Sequence, residues 1–189
     1  MPDARHAEYG RIDRWPIPGR LAGPPIATGL FAGLLAAALV ATLARAPVPR
    51  LVWNASSSSR TGLYLVGSTG HPRSGDMVVA WAPAGARALA ARRGYLPPRV
   101  PLVKPVAAIG GDRVCAMGPM ITINGRVAAL RRKRDGRRRR LPSWSGCRTL
   151  ACGELLLLSR GSPAAFDGRY FGISRHGDVI GKARLLWAR

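Results

Sequence analysis

Residues 120–130 have the sequence MITINGRVAAL, which predicts a β-hairpin. Asn124 and Gly125 separate two β-rich arms, and an Asn-Gly pair is the strongest short-range hairpin signal because both residues tolerate positive φ. Further strands are predicted at four short apolar runs bounded by Gly, Pro or Ser: GLYLV at 62–66, DMVVAWA at 76–82, LVKPVAAI at 102–109 and ELLLLS at 154–159. Within residues 51–189 the only helical pattern is GARALAARR at 85–93, so we predict a mainly β domain there.

Upstream of this domain, residues 26–44 (IATGLFAGLLAAALVATLA) contain no charged residue. A helix of this length is about 28 Å long, close to the roughly 30 Å hydrocarbon core of a bilayer. We predict a transmembrane anchor; a signal-peptide core and a buried globular helix are the alternatives. Arginines flank both ends, so loop charge does not assign an orientation. Residues 1–25 are expected to be a flexible lead-in and residues 45–50 a short stiff linker.

The composition excludes several classes of protein. The 189 residues include 30 Lys and Arg against nine Asp and Glu, a formal net charge of +21. A hydrophobic fraction of 47% excludes a disordered basic tail. Three cysteines are too few for a disulfide scaffold, and no pair of them has zinc-ligand spacing. We expect neither a metal nor another cofactor. Only three of the basic residues are lysines, which makes Lys104 in its apolar strand conspicuous.

The sequence lacks the usual hydrolase motifs, and two segments remain as candidates for chemistry. There is no GxSxG, HExxH or GxxxxGKS pattern. The first candidate is the hydroxyl-rich stretch SSSSRTGLY at 56–64, which is otherwise an ordinary linker sequence. The second is Lys104, which either points outward from the sheet or is buried. Burial would lower its pKa, and a neutral lysine can take a proton from a serine hydroxyl.

With a third segment, the two candidates form a recognisable order: SSSSRTGLY at 56–64, KPVAAIGGD at 104–112 and FDGRYFG at 166–172. This order resembles the Ser/Lys signal peptidases, and within them most closely the TraF-type conjugative-transfer signal peptidases, which process pilin precursors for plasmid transfer. The resemblance covers most of the chain, including the uncharged segment in front. It implies a signal-peptidase-like β domain behind one N-terminal transmembrane helix, anchored in the inner membrane with its catalytic domain on the periplasmic face.

The resemblance also assigns roles to residues of this chain. Ser58 matches the nucleophile, Lys104 the general base and Asp167 an acid implicated in activity. Ser56 matches a serine that, together with the N–H of Ser58, stabilises the oxyanion. Two further residues are expected to be structural and near the site: Asp112 and Arg169.

The chain departs from the family pattern at three positions. Arg60 stands where proline usually follows the nucleophile, so Ser57 and Ser59 stay open as alternatives to Ser58. Gly110 replaces a common proline. Ala165 stands where general signal peptidases place a serine that hydrogen-bonds the lysine, which suggests that an acid or a water contacts Lys104 instead.

The resemblance implies a membrane-anchored serine endopeptidase that removes leader or terminal peptides from pilin-like precursors. An acyl-enzyme attacked by the substrate's own amino terminus would give a cyclic product. Two alternatives are a general signal peptidase I and a membrane-anchored basic accessory protein that binds lipid or DNA. The short chain, the single anchor and Gly62-Leu63-Tyr64 favour the conjugative type over the general one.

The segment 131–140, RRKRDGRRRR, contains eight basic residues in ten. It is a solvated loop between strands, a contact for anionic lipid headgroups, or a nucleic-acid site. Because the catalytic domain of the resembled family lies outside the cytoplasm, we expect lipid rather than nucleic acid as the partner of Arg131–Arg140.

Cys115 and Cys147 flank this basic insert, and Cys152 follows it. An extracytoplasmic domain permits a disulfide. A Cys115–Cys147 bond would close the base of the insert, Cys147–Cys152 is the alternative, and one cysteine must stay free.

Overall fold

The computed structural model describes the backbone of residues 26–44 and all of residues 50–189. The predictions for residues 1–25 and for residues 45–49 of the linker lie outside the described residues. The chain divides into two compact units, Met1–Pro47 and Val48–Arg189.

The first unit contains helix α1, Ile26–Ala44, whose Ala- and Leu-rich sequence favours helix. Its side chains are described at residues 28–41, and all of them are exposed. Among the described residues, none of the helices combines the length and apolar character needed to cross a membrane.

The second unit is built mainly from short antiparallel strands, which confirms the mainly β prediction. Their bounds are β1 Leu51–Asn54, β2 Gly62–Val66, β3 Met77–Ala80, β4 Leu102–Ala108, β5 Arg113–Met117, β6 Met120–Ile123, β7 Arg126–Leu130, β8 Gly146–Thr149, β9 Glu154–Leu157, β10 Ser174–Arg175 and β11 Val179–Ala188. Two helices accompany them, α2 Ala84–Arg93 and α3 Gly168–Phe171, with a 3-10 turn at His176–Asp178.

The strands form two sheets. The larger one has seven strands in the order β1-β2-β11-β3-β4-β9-β10, and the smaller one has four in the order β7-β6-β5-β8. Strand β4 therefore lies inside the larger sheet, between β3 and β9. This central position buries most of its residues.

The predicted hairpin is present as β6 and β7. Asn124 and Gly125 have φ angles of 50° and 79°, as the turn requires. The other predicted strands are present with ends shifted by up to two residues, and the helical pattern at 85–93 becomes α2. The short helix α3 and the strands β1, β5, β8, β10 and β11 were not predicted.

Strand β11 crosses the sheet between β2 and β3 and approaches β2 closely at Gly62. A Cβ atom at this glycine would lie 2.0 Å from the carbonyl oxygen of Trp187, and its φ is 149°. Only glycine fits there. The close approach fixes the start of β2, immediately after the serine-rich loop.

Three packed clusters make up the core. One fills the small-sheet side around Val114, Ile121 and Leu156. A second lies along β4 and β9 and includes Val106 and Leu157. The third contains Tyr64 and joins β2 to β3 and β4, so the strands that carry the candidate residues are tied together by burial.

Candidate active site

The serine-rich loop between β1 and β2 is held by the buried side chain of Asn54. The Asn54 amide nitrogen donates to the carbonyl oxygens of Ser56, Ser59 and Arg60 at 3.0, 3.3 and 2.9 Å. Its Oδ1 accepts from the backbone N–H of Ser56 at 3.1 Å. The loop thus has a fixed shape without the proline that Arg60 replaces.

A second contact docks this loop onto β4. Ser59 Oγ donates to the carbonyl oxygen of Val103 at 2.9 Å. Val103 directly precedes Lys104, so the contact brings the loop beside the lysine. Among the four serines, Ser59 therefore acts as a tether.

Ser58 is the serine that meets the lysine. Lys104 Nζ donates a hydrogen bond to Ser58 Oγ across 46 positions of sequence. Of the serines left open by the sequence, only Ser58 has this contact in the described part of the chain. The neighbouring Ser57 lines the same cleft without it.

Lys104 is 3% exposed, so it is buried rather than on the solvent side of its sheet. Burial lowers its pKa from 10.5 to about 8, with nearby Asp167 opposing the shift and Arg169 adding to it. About one tenth of the amine is therefore uncharged at pH 7, and about half at pH 8. In that form its lone pair can accept the proton of Ser58.

Ser56 lies beside the same hydroxyl. Ser56 Oγ and Ser58 Oγ are 2.8 Å apart, and the N–H of Ser58 donates to Ser56 Oγ at 3.3 Å. The Ser56 hydroxyl and the Ser58 N–H thus meet next to the nucleophile candidate. Two donors in this place can bind the oxygen of a tetrahedral intermediate.

Asp167 is fully buried and engaged by groups other than Lys104. Its Oδ1 accepts from Arg169 Nε at 2.8 Å, and its Oδ2 accepts from the backbone N–H of Ser159 at 2.9 Å. Asp167 also caps α3 by accepting from the backbone N–H of Arg169. The structure thus brings Asp167 near Lys104 without a hydrogen bond between them, and the expected contact from an acid is not seen.

Arg169 and Asp112 lie in structural positions. The Arg169 guanidinium is 1% exposed and donates to Asp167 and to the carbonyl oxygens of Ser159 and Leu130. Asp112 accepts from the N–H of Ile109 at 2.9 Å and from the Asn124 amide at 2.7 Å. It therefore closes the turn after β4 and joins it to the hairpin.

The dyad opens into a cleft of about 320 Å³. Ser56, Ser57, Ser58 and Lys104 line it, and Ala165 and Phe166 contribute apolar surface. The basic insert also lines the cleft, through Arg132, Arg134, Asp135 and Gly136, which form its basic wall. A peptide bound in the cleft could contact both sets of residues.

The basic insert is an ordered loop organised around Asp135. The Asp135 carboxylate accepts from the N–H groups of Arg137 and Arg139 at 2.9 and 2.8 Å, from Arg139 Nε at 2.7 Å, and from the Tyr95 hydroxyl. Arg132 is tied to the core because its N–H donates to the Tyr170 hydroxyl at 3.0 Å. One carboxylate thus stabilises a loop in which eight of the ten residues are basic.

Cys115 and Cys147 are joined by a disulfide, and Cys152 is free and exposed. The bond links β5 to β8 and spans the chain that carries the basic insert. In the described part of the chain, no three His, Cys, Asp or Glu side chains lie close enough together to hold a metal ion.

Two contributors were missed by reading the sequence. Asn54 precedes a serine run, which is a typical position for an Asx turn, so its role had a local signal. The role of the Asp135 carboxylate had no local sequence signal, because Asp135 stands within a run of arginines and its partner Tyr95 is 40 positions away.

Residues 26–188 match the family described as signal peptidase, peptidase S26. No curated protein sequence is significantly similar to the chain. Among solved structures, a signal peptidase I from Enterococcus faecalis V583 aligns with a TM-score of 0.35 and 16% identity, over 59% of this chain and 96% of that one.

Proposed function

The chain belongs to the S26 family of signal peptidases and is thus a serine peptidase of the class that cleaves signal peptides, and we propose that Ser58 and Lys104 are its catalytic dyad. The hydrogen bond between Lys104 Nζ and Ser58 Oγ, made by a buried lysine, is the observation that carries this proposal. It joins a nucleophile to a base whose pKa burial has lowered.

The chemistry is acyl transfer. Neutral Lys104 takes the proton of Ser58 as Oγ attacks the scissile carbonyl carbon, and the Ser56 hydroxyl and the Ser58 N–H bind the resulting oxyanion. Protonated Lys104 then gives its proton to the departing amine. The acyl group remains bound to Ser58 Oγ as an ester. Water, deprotonated by Lys104, hydrolyses the ester and restores the enzyme.

Within the family, we propose a TraF-type conjugative role with a pilin-like precursor as substrate. The order of the three sequence boxes and Gly62-Leu63-Tyr64 after the nucleophile support this choice. If the precursor's own amino terminus replaces water in the second step, the product is cyclic. The product's mass distinguishes the two outcomes, because hydrolysis adds one water.

Deletion of the protein from a plasmid-bearing host tests the conjugative role. Loss of plasmid transfer with normal secretion supports it, and restoration by wild-type but not by Ser58→Ala protein ties transfer to the dyad. A general secretion defect would instead favour a signal peptidase I. Unchanged transfer after Ser58→Ala, with loss after neutralising the basic insert, would favour an accessory protein that binds lipid or DNA.

We also propose an inner-membrane location with the catalytic unit on the extracytoplasmic face. The uncharged segment 26–44 supports an anchor, and the Cys115–Cys147 disulfide suits an oxidising compartment. Trp53 and Trp187 are exposed, and the centroids of their rings are 5.7 Å apart. Such a pair of aromatic rings suits a membrane interface. Exposed basic residues of 131–140 are proposed to contact anionic headgroups.

Cys152 provides a direct test of this location, since it is exposed and is the free cysteine of the described residues. A membrane-impermeant maleimide added to spheroplasts should label it, and carbonate should not extract the protein from membranes. A protein labelled only after lysis would contradict the proposed orientation.

A further inference from the structure

Ser159 carries a buried hydroxyl beside the dyad that has no partner. The residue is 3% exposed, and its Oγ makes no hydrogen bond among the described residues. Burying an unpaired hydroxyl is costly, so such a group calls for an explanation. Ser159 also lines, together with Ser58, a cavity of about 340 Å³ next to the main cleft.

The strand register places Ser159 opposite Lys104. Val106 of β4 pairs with Leu157 of β9, and the N–H of Leu158 donates to the carbonyl oxygen of Pro105 at 3.1 Å. Ser159 lies two residues beyond the end of β9, and continuing this register sets it across from Lys104. With the alternation of a strand, both side chains would lie on the face that carries Val106 and Leu157, with Cβ atoms about 5 Å apart.

The backbone of Ser159 is fixed by the terminal box. Its N–H donates to Asp167 Oδ2 at 2.9 Å, and its carbonyl oxygen accepts from Arg169 at 2.6 Å. Of the polar groups of Ser159, only the hydroxyl has no hydrogen-bond partner among the described residues. The buried Asp167–Arg169 pair therefore fixes the backbone from which this hydroxyl projects.

We propose that Ser159 is a positioning residue for Lys104, whose amine donates a hydrogen bond to the Ser159 hydroxyl during the reaction. This proposal rests on the dyad of the proposed function. A neutral amine has two N–H donors and one lone pair, so an acceptor on one side directs the lone pair towards Ser58. Once the amine is protonated, the same hydroxyl accepts from the ammonium.

This role accounts for two observations that are otherwise separate. Ala165 lacks the hydroxyl that general signal peptidases present to the lysine, and Ser159 supplies one from the neighbouring strand. Asp167 has no hydrogen bond to Lys104, yet it fixes the residue that does the positioning. Asp167 would therefore influence activity by fixing the backbone of Ser159.

The test compares Ser159→Ala with Ser174→Ala in the full-length protein. Ser174 is the matched control because its hydroxyl is also buried and unpaired, and it lies on β10, away from the dyad. In Ser159→Ala we expect kcat to fall by roughly 10- to 100-fold with little change in KM. Ser174→Ala should keep wild-type kinetics.

The pH profile separates positioning from a structural effect. The charged groups near Lys104 are Asp167 and Arg169, and both variants leave them in place. Since Ser159 stabilises the ammonium form, Ser159→Ala should move the acid limb of the profile to lower pH, by up to about one unit. Ala165→Ser, added to Ser159→Ala, should restore part of kcat by presenting a hydroxyl from the cleft side.

Wild-type kcat in Ser159→Ala would overturn the inference, and so would an equal loss in Ser174→Ala or an unmoved acid limb. Thermal unfolding of both variants checks that they remain folded. Activity in Lys104→Ala would instead refute the dyad itself, so the two failures are distinguishable.

A second inference concerns the basic wall of the cleft. Arg132 and Arg134 line it, and neither guanidinium has an acidic partner among the described residues. Asp135, the acid of this loop, is already used by Arg139 and by Tyr95. The basic wall of the cleft thus carries two guanidinium groups that no acidic residue among those described neutralises.

We infer that this wall binds a carboxylate of the substrate, so that the preferred precursor has an acidic residue near its scissile bond. Arg134 is already oriented, because its guanidinium donates to the carbonyl oxygen of Arg138 at 2.7 Å. Arg132 is fixed at its backbone by Tyr170. Charge-assisted hydrogen bonds from such groups favour an anionic side chain over its neutral isostere.

Fluorogenic peptides with small residues at the scissile bond, carrying Glu, Gln or Lys at each flanking position in turn, test this inference. We expect one position at which Glu is cleaved roughly tenfold faster than Gln in kcat/KM. Replacing Arg132 and Arg134 by Gln should remove that preference. The matched control replaces Arg137 and Arg138, which lie in the same loop and do not line the cleft.

Cleavage without any preference for Glu, or a preference that survives in the Arg132→Gln/Arg134→Gln protein, would overturn the inference. Failure to cleave any peptide, with the natural precursor also intact, would count against the proposed peptidase function and not against this wall alone.

Discussion

Lys104 Nζ and Ser58 Oγ are hydrogen-bonded although one lies on β4, the other in the loop between β1 and β2, and 46 positions of sequence separate them. Two contacts enforce the meeting: Asn54 shapes the serine loop, and Ser59 docks it on β4. The pair is thus a product of tertiary structure, and its removal should affect chemistry more than folding.

Ser58→Ala and Lys104→Ala should each reduce precursor cleavage by at least a thousand-fold, since either change removes the nucleophile or its base. Cleavage is followed by gel shift of the precursor in membranes. Ser57→Ala is the matched control, because Ser57 lines the cleft without contacting Lys104, and it should keep wild-type activity. A dead Ser57→Ala and an active Ser58→Ala would reassign the nucleophile.

Ser56→Ala should lower kcat by about 100- to 1,000-fold while KM stays close to the wild-type value. The reason is that its hydroxyl would bind the oxygen only after negative charge develops there. Ser56→Thr keeps the hydroxyl and should retain part of the activity. Steady-state kinetics on a peptide substrate measure both constants, and an unchanged kcat in Ser56→Ala would exclude the oxyanion role.

The rate should rise with pH around the pKa of Lys104. Because only the neutral amine accepts the serine proton, kcat/KM should increase about tenfold per pH unit below the midpoint and level off above it. Burial places that midpoint at about 8. A profile measured from pH 6 to 10 on the wild-type protein tests this, and a midpoint near 10 would mean a solvated lysine.

Lys104→Met should stabilise the protein at neutral pH. The folded-state pKa of about 8 lies below the ordinary 10.5, so the unfolded chain binds more protons and stability rises as pH increases through this window. Below pH 8 the buried lysine therefore costs roughly 3 kcal/mol of the free energy of unfolding. Methionine removes that cost, and the gain should shrink between about pH 8 and pH 10.5 and be absent above that window.

Urea unfolding at pH 7 and at pH 10.5 measures the effect. Lys182→Met is the control, since Lys182 is a half-exposed lysine paired with Asp76 and its loss should change stability by less than about 1 kcal/mol. A Lys104→Met protein less stable than wild type at pH 7 would contradict the argument.

Asn54→Asp should disrupt the nucleophile loop more than Asn54→Ala does. The aspartate has the same shape but places an oxygen where the amide donated to three carbonyl oxygens, which would now repel it. We expect a loss of about 1 to 3 kcal/mol in stability and at least a tenfold drop in kcat/KM. If Asn54→Asp unfolds and cleaves like the wild type, the loop does not depend on this side chain.

The sequence predicted the features that depend on neighbouring residues. The hairpin follows from Asn124-Gly125, and the short apolar runs became strands because their length and flanking turn residues leave little choice. Strand β11 escaped prediction because Gly181, Lys182 and Arg184 interrupt its apolar pattern. Its strand state comes from pairing with β2 and β3, and neither partner is visible locally.

The same distinction applies to the site. Order along the chain indicated Ser58 and Lys104, while the burial of Lys104 depends on β9 and the terminal box packing beside it. The register that sets Ser159 across from Lys104 and the loop around Asp135 are long-range relationships. The residues that neighbour them in the sequence give no signal for either relationship.

The 46 positions between Ser58 and Lys104 make the proposed dyad dependent on folding. In a nascent or denatured chain the lysine is hydrated, charged and remote from any particular serine. The lysine loses its hydration only when β4 is enclosed between its neighbours and the serine-rich loop docks on it. We therefore expect the peptidase to stay inactive until its sheet is complete.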